Sequence, residues 1–147
     1  MLNVYIDGSC QPVNPGGTAS YGLIVKRGES LIFQTCKVVG SGKEMSNNVA
    51  EYKGLLAFLS WYISYAKEYD NKNDNEIEQV IVHSDSQLLV NQMNRKWKAT
   101  SGLYYPYYKS AILLTQYYKN IEYKWIPREE NSDADNLANE AIANERH

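Results

Sequence analysis

Val4-Tyr5-Ile6-Asp7-Gly8-Ser9-Cys10-Gln11-Pro12-Val13-Asn14-Pro15-Gly16-Gly17 decides the fold, because a β-rich run there reaches an acidic residue and then breaks into Gly and Pro. Val4 to Ile6 read as a short first strand ending at Asp7, and Gly8 to Gly17 as a loop. Two more β-rich runs follow, Ala19 to Lys26 and Leu31 to Val39. Arg27-Gly28-Glu29-Ser30 between them is the turn of a hairpin.

Beyond the hairpin the period changes. Ser46 has the character of an N-cap, and from Val49 apolar residues recur at helical spacing through Tyr52, Leu56, Leu59, Ile63 and Ala66. This predicts a long amphipathic helix ending before Asp70-Asn71-Lys72-Asn73-Asp74-Asn75, which reads as a polar, mobile loop. Gln79 to His83 is a strand with Asp85 at its C-terminal end, and Ser84 to Met93 a short helix. Gly102 to Tyr108 is rich in Tyr and carries Pro106; Lys109 to Tyr118 continues as helix. Ile121 to Ile126 is a strand, and Ser132 to Glu145 the last helix. The order β-β-β-α-β-α-α-β-α predicts an α/β domain, a five-stranded mixed sheet flanked by helices. With 147 residues and no internal repeat, residues 1–147 are expected to form one domain.

A formal net charge of −2 does not by itself announce a nucleic-acid binder, although Arg95-Lys96-Trp97-Lys98 is locally basic. Cys10 and Cys36 are too few for a disulfide scaffold, and no Cys/His spacing suggests zinc. His83 and His147 are the only histidines, which argues against His-based metal sites and a Ser-His-Asp triad. No apolar run approaches the roughly 20 residues that cross a bilayer, and the N-terminus lacks the features of a signal peptide. A soluble, cytoplasmic, monomeric protein is expected, and the Met1 start suggests that it stands free.

Four acids occupy special places. Asp7 and Asp85 end strands, Glu51 lies in the first turns of the long helix, and Asp135 is near the start of the last. Ligands of open α/β sheets gather at the carboxyl ends of strands. Crowded carboxylates resist ionising unless they bind cations, and hard oxygen ligands suit Mg²⁺ or Mn²⁺. A pair of such ions can serve phosphodiester cleavage. Each acid alone also fits a plainer role, as a turn or cap residue or as a complement to a helix dipole.

The flanking residues tip the balance. Tyr5-Ile6-Asp7-Gly8-Ser9-Cys10 with Asn14-Pro15-Gly16, then Ser46-Asn47-Asn48-Val49-Ala50-Glu51-Tyr52, His83-Ser84-Asp85-Ser86-Gln87 and Asn131-Ser132-Asp133-Ala134-Asp135-Asn136-Leu137-Ala138 resemble, in order, the four motifs of the type 1 ribonuclease H family. The resemblance spans nearly the whole chain. It implies a ribonuclease H-like fold and hydrolysis of the RNA strand of RNA–DNA hybrids with two divalent ions, Mg²⁺ or Mn²⁺, leaving 5′-phosphate ends. It also implies roles. Asp7 would bridge both ions, Asp135 would complete the one on the attacking-water side, and Glu51 and Asp85 would serve the one on the leaving-group side. Asp133 is the near neighbour that Asp135 must be told from. Substrate contacts carry over to Gly8, Ser9, Cys10, Asn14, Asn47, Asn48 and Gln87, with Ser46 at a DNA phosphate. Plain helix capping is the competing role for Asn47 and Asn48.

Two departures are visible. The basic protrusion of larger members is absent, and the Arg95 to Lys98 cluster is either its compensation or a solvated helix end. The loop before the last helix has Pro127-Arg128-Glu129-Glu130-Asn131 in place of a His, as in shorter archaeal and some bacterial variants, which makes Arg128 and Glu130 candidate auxiliaries. Tyr104, Tyr105, Tyr107 and Tyr108 are expected to pack a helix rather than stack on bases. Two competing functions remain: a catalytically inactive hybrid-binding module, and an integrase- or resolvase-like DNA nuclease of the same superfold.

Overall fold

Leu2, Val4 and Ile6 alternate with Asn3, Tyr5 and Asp7, and the strand they build buries all three aliphatic side chains. In the computed structural model this strand, β1 (Leu2–Gln11), is central to the sheet. The structure describes residues 1–72 and 77–145, and the side chains of all of these except 70–72. The other elements are β2 (Thr18–Arg27), β3 (Ser30–Ser41), α1 (Asn47–Lys72), β4 (Val80–Ser84), α2 (Gln87–Met93), α3 (Tyr105–Thr115), β5 (Ile121–Trp125) and α4 (Ser132–Glu145), with one 3-10 turn at Arg128–Glu130.

The five strands lie in the order β3-β2-β1-β4-β5. β1, β2 and β3 are antiparallel, whereas β1–β4 and β4–β5 are parallel. Even-numbered residues of β1 face α1; odd-numbered ones face α4. Ile6 lies under Gly54 of α1, and Gly22, the cross-strand partner of Asp7, lies under Ala134 of α4. Leu55, Phe58 and Leu59 of α1 are completely buried against the sheet, each contributing about 1.5–3 kcal/mol through burial. α3 packs on α1. Tyr104 stacks on Tyr52 at 5.5 Å, Tyr108 meets the same ring edge-on, and the Lys53 ammonium lies over Tyr107. The tyrosines thus pack a helix.

Several boundaries differ from the sequence reading. Gly8 to Gln11 are strand, not loop, because β2 keeps pairing with β1 as far as Gln11–Thr18. α1 starts at Asn47 as expected, capped by Ser46, whose Oγ accepts from the Val49 N–H at 3.1 Å. It runs through Lys72, where composition predicts a loop. An i,i+4 ladder of rings, Trp61–Tyr65–Tyr69, holds that last stretch helical. Residues 73–75 of the expected loop lie outside the described residues. α2 begins at Gln87 rather than Ser84, because Ser86 is its N-cap and accepts from Leu89 N–H. α3 begins inside the Tyr-rich stretch, with Pro106 in its first turn where a missing N–H costs nothing. Between α2 and α3 there is no further helix, and Arg95, Lys96, Trp97 and Lys98 are exposed. Among the described residues no helix is long and apolar enough to cross a membrane.

Candidate active site

The parallel ladder of β1 and β4 ends at Ile6–Ser84. One residue further on, Asp7 and Asp85 emerge side by side where the sheet changes from antiparallel to parallel. Such a switch point is where open α/β sheets hold ligands. Two glycines bring in the other acids. A Cβ on Gly8 would sit 2.5 Å from Glu51 N and 2.6 Å from Glu51 Cγ. The second turn of α1 can pass over β1 only because residue 8 has no side chain. A Cβ on Gly22 would sit 2.2 Å from Ala134 O and 2.9 Å from Ala138 N. Its absence seats the first turns of α4 beside Asp7. One carboxylate oxygen from each of Asp7, Glu51 and Asp85 lies within 4.8 Å of the others, and Asp135 is hydrogen-bonded to Asp7.

This crowding sets the charge state. Burial, with the charge of Asp85, the hydrogen bond to Asp135 and the charges of Glu51 and Asp135, pushes Asp7 up to about 9. Burial pushes Glu51 up to about 8; a hydrogen bond from Ser86 opposes the rise and Asp85 adds to it. Asp85 is raised as well, by burial first, against a hydrogen bond from Asp7 and the charge of Arg128. The donor set is all carboxylate oxygen, reluctant to ionise without a cation. It therefore fits a hard divalent ion, whose charge would reverse that reluctance.

The acids line an open cleft of about 440 Å³ with Gly8, Ser9, Cys10, Gln11, Asn14, Asn47, Asn48, Ser86, Arg128 and Asn139. Asn14 Oδ1 accepts from the Asn47 N–H at 3.0 Å, so the loop after β1 is tied to the start of α1. Cys10 Sγ donates to Val13 O. Three expected residues are not brought to the cleft. Ser46 is buried beneath the start of α1 as its cap. Gln87 is exposed on α2 and its carbonyl accepts from Asn91. Glu130 lies with Asp133 along a separate groove beside Tyr5 and Lys26. Asp133 and Asp135 thus sit on different sides of α4. His83 does not line the cleft; its Nδ1 bonds Val4 O at 3.0 Å, its ring stacks on Tyr5, and burial lowers its pKa.

Sequence reasoning missed Gln11, Ser86, Asn131 and Asn139. Asn139 follows Asp135 by four residues on one helix, a spacing that was available. Asn131 is 1% exposed. Its Nδ2 donates to Ile6 O at 2.9 Å and its backbone carbonyl accepts from Asp135 N at 3.1 Å, so one residue ties the peptide before Asp7 to the turn carrying Asp135. Its Oδ1 is a buried atom with no partner among the described residues. On the other side, the Trp125 indole N–H donates to the Asp85 carbonyl at 3.1 Å.

Comparison with known proteins agrees with this architecture. Residues 5–141 match the reverse transcriptase-like family. The bifunctional protein Rv2228c of Mycobacterium tuberculosis is 33% identical over 131 residues, which are 88% of this chain and 32% of that protein. The chain therefore spans about a third of the length of this relative. The solved N-terminal RNase H domain of rv2228c superimposes with a TM-score of 0.79 at 30% identity, covering 97% of this chain and 93% of that one. LC11-RNase H1, solved in complex with an RNA/DNA hybrid, has a TM-score of 0.81 at 25% identity over 100% of both chains. RNase H1 of the archaeon Halobacterium salinarum shares the fold, with a TM-score of 0.78 at 24% identity over 97% and 98%. With its sheet, its acid-lined switch point and a family match along almost its whole length, this chain belongs to the reverse transcriptase-like family and is a domain of the ribonuclease H type.

Proposed function

We propose that the protein is an endoribonuclease that hydrolyses the RNA strand of RNA–DNA hybrids, using two divalent ions, Mg²⁺ or Mn²⁺, and leaving 5′-phosphate ends. The observation that carries this reading is the meeting of Asp7, Glu51 and Asp85 within 4.8 Å, with Asp135 bonded to Asp7, in a cleft walled by side-chain amides. Asp7 and Asp135 would hold one ion, and Asp7, Glu51 and Asp85 the other. Ions bound there supply activation of water and neutralisation of charge on the phosphate. The remaining work belongs to the chain. Ser86 accepts from Leu89 N–H, which holds its hydroxyl beside Glu51, where it favours the ionised carboxylate. Asn47 and Asn48, at the open start of α1, offer amides to the minor-groove edge and sugars, the features by which hybrids differ from B-form DNA. Arg128, on the rim of the cleft, supplies positive charge for a phosphate. In the reaction a water oxygen bonds to phosphorus as the bond to O3′ breaks, giving a 3′-hydroxyl and a 5′-phosphate.

A labelled RNA–DNA hybrid incubated with and without Mg²⁺ or Mn²⁺ tests this, with all-DNA duplex alongside. The expected result is metal-dependent cutting of the RNA strand alone. Binding without cutting would make the domain an inactive hybrid-binding module, and cutting of the all-DNA duplex would make it an integrase- or resolvase-like nuclease.

A further inference from the structure

The cleft has two walls. On the α1 side, Gly8 and Cys10 of β1 face the start of the helix with Asn47 and Asn48. On the other side, the two-residue period of β1 sets Asp7, Ser9 and Gln11 on the face covered by α4, where Ser20, the partner of Ser9, donates to Ala138 O at 2.7 Å. The helical period of α4 in turn sets Asn139 four residues, about 6 Å, along the axis from Asp135 and on nearly the same face. Gln11 Nε2 donates both of its hydrogens, to Ser9 Oγ at 3.0 Å and to Asn139 Oδ1 at 2.7 Å. The amide pair is thereby fixed in place while still lining the cleft.

What the pair leaves unused defines its ligand. Gln11 Oε1 and the Asn139 NH₂ have no hydrogen bond within the described residues. Exchanging the ends of both amides leaves the same complement, one carbonyl and one NH₂. One unused acceptor and one unused donor on two joined amides, both uncharged, suit a hydroxyl, which accepts and donates at once. A phosphate oxygen could use only the donor, and a deoxyribose carbon neither.

We infer that Gln11 and Asn139 form a second hydroxyl-reading element, on the α4 wall, that grips one ribose 2′-OH of the RNA strand next to the cleaved linkage. This rests on the hybrid-cleaving reading above. The pair is a specificity determinant, separate from the Asn14–Asn47–Asn48 wall.

The test walks a single deoxyribose through the RNA strand of a hybrid and measures kcat/KM for the wild type, Gln11→Met and Asn139→Leu. At one sugar near the cut, the wild type should lose about three- to tenfold, the worth of one or two neutral hydrogen bonds. Each variant should show that loss already on the all-ribose hybrid, as a raised KM, and lose nothing further at that sugar. Its penalties at every other sugar should match the wild type's. If the variants keep the full penalty at every sugar and differ only in melting temperature, the pair merely staples α4 to β1 and the inference is overturned. A wild type that cuts no hybrid would instead overturn the underlying reading.

Discussion

The two ends of the central sheet treat buried carboxyl groups in opposite ways. Beyond the N-terminal end of β4, Glu78 is 8% exposed yet surrounded by partners. Arg27 Nε and Nη2 each donate to it at 2.8 Å, the N-terminal ammonium approaches to 3.2 Å, and the Tyr65 hydroxyl donates at 3.2 Å. Burial alone would raise its pKa, but Arg27 and the N-terminus outweigh burial and hold the carboxyl below its ordinary range. At the other end Asp7, Glu51 and Asp85 meet with Arg128 as the one cation lining the cleft among the described residues, and all three are raised. One end is complete as it stands. The other is arranged around a charge that the chain does not supply.

Breaking the incomplete end should have the largest effect. Outer-shell residues of a metal site are worth about 10–100-fold in affinity or activity, so Asp7→Asn and Asp135→Asn, the proposed direct ligands, should each lower hybrid cleavage by more than that. Circular dichroism should show the fold unchanged. Near wild-type turnover in purified Asp7→Asn would remove it from the centre of the site.

The contrast sharpens with pH. Asp7 and Glu51 rise to about 9 and about 8 in the folded chain from ordinary values of 3.8 and 4.5. Between those limits the folded state holds more protons than the unfolded one, so metal-free protein should lose stability as pH rises through that window. Saturating Mg²⁺ should restore it, since an ion that binds only the folded state stabilises by mass action. Asp7→Asn should flatten the metal-free profile. Melting temperatures in EDTA and in Mg²⁺ from pH 5 to 9 measure this; a flat profile for the metal-free wild type would contradict the crowding argument.

Glu78→Gln should do the reverse. Its effect belongs to stability alone, between the about 1 kcal/mol of an exposed pair and the about 3–5 of a fully buried one, because Arg27 stays 40% exposed. With its folded pKa lowered, the wild-type contribution is present above the ordinary 4.5 and lost as pH falls. The variant should therefore melt earlier at neutral pH and converge on wild type in acid, with kcat/KM for hybrid unchanged. A cleavage defect without a stability defect would mean that the two ends of the sheet are coupled.

How much of this was legible in the sequence follows the same division. The strand-and-helix order was readable because alternation and helical spacing are strong in β1 and α1. The three clustered acids could be named because Asp7 and Asp85 read as strand ends, Glu51 lies in the first turns of α1, and each sits in a short motif of its own. What escaped were residues whose role depends on where chains cross. Gly and Pro made residues 8–17 read as a loop, which hid the two-residue period that aligns Asp7, Ser9 and Gln11 on one face. Glu78 lay beside a polar run and gave no hint of Arg27, 51 residues away. Asn131 looked like a loop residue, and only the packed structure shows it reaching Ile6 O.

The smallest effect separates the two acids that sequence alone can confuse. Asp133 and Asp135 both lie in the first turn of α4, and two positions along a helix turn a side chain by about 200°. Asp135 accordingly lines the cleft, whereas Asp133 borders the groove with Lys26 and Glu130 on the far side. Nothing there joins it to Asp7. Its remaining contribution is a negative charge near the positive end of the helix dipole, worth about 0.3–1 kcal/mol. Asp133→Asn should therefore melt slightly earlier in low salt, converge on wild type as salt screens the dipole, and cut hybrid at an unchanged rate in saturating Mg²⁺. A cleavage defect in Asp133→Asn as large as that of Asp135→Asn would mean that α4 sits in a different rotational register when substrate and ions are bound. The assignment of Asp135 as the fourth acid would then fall with it.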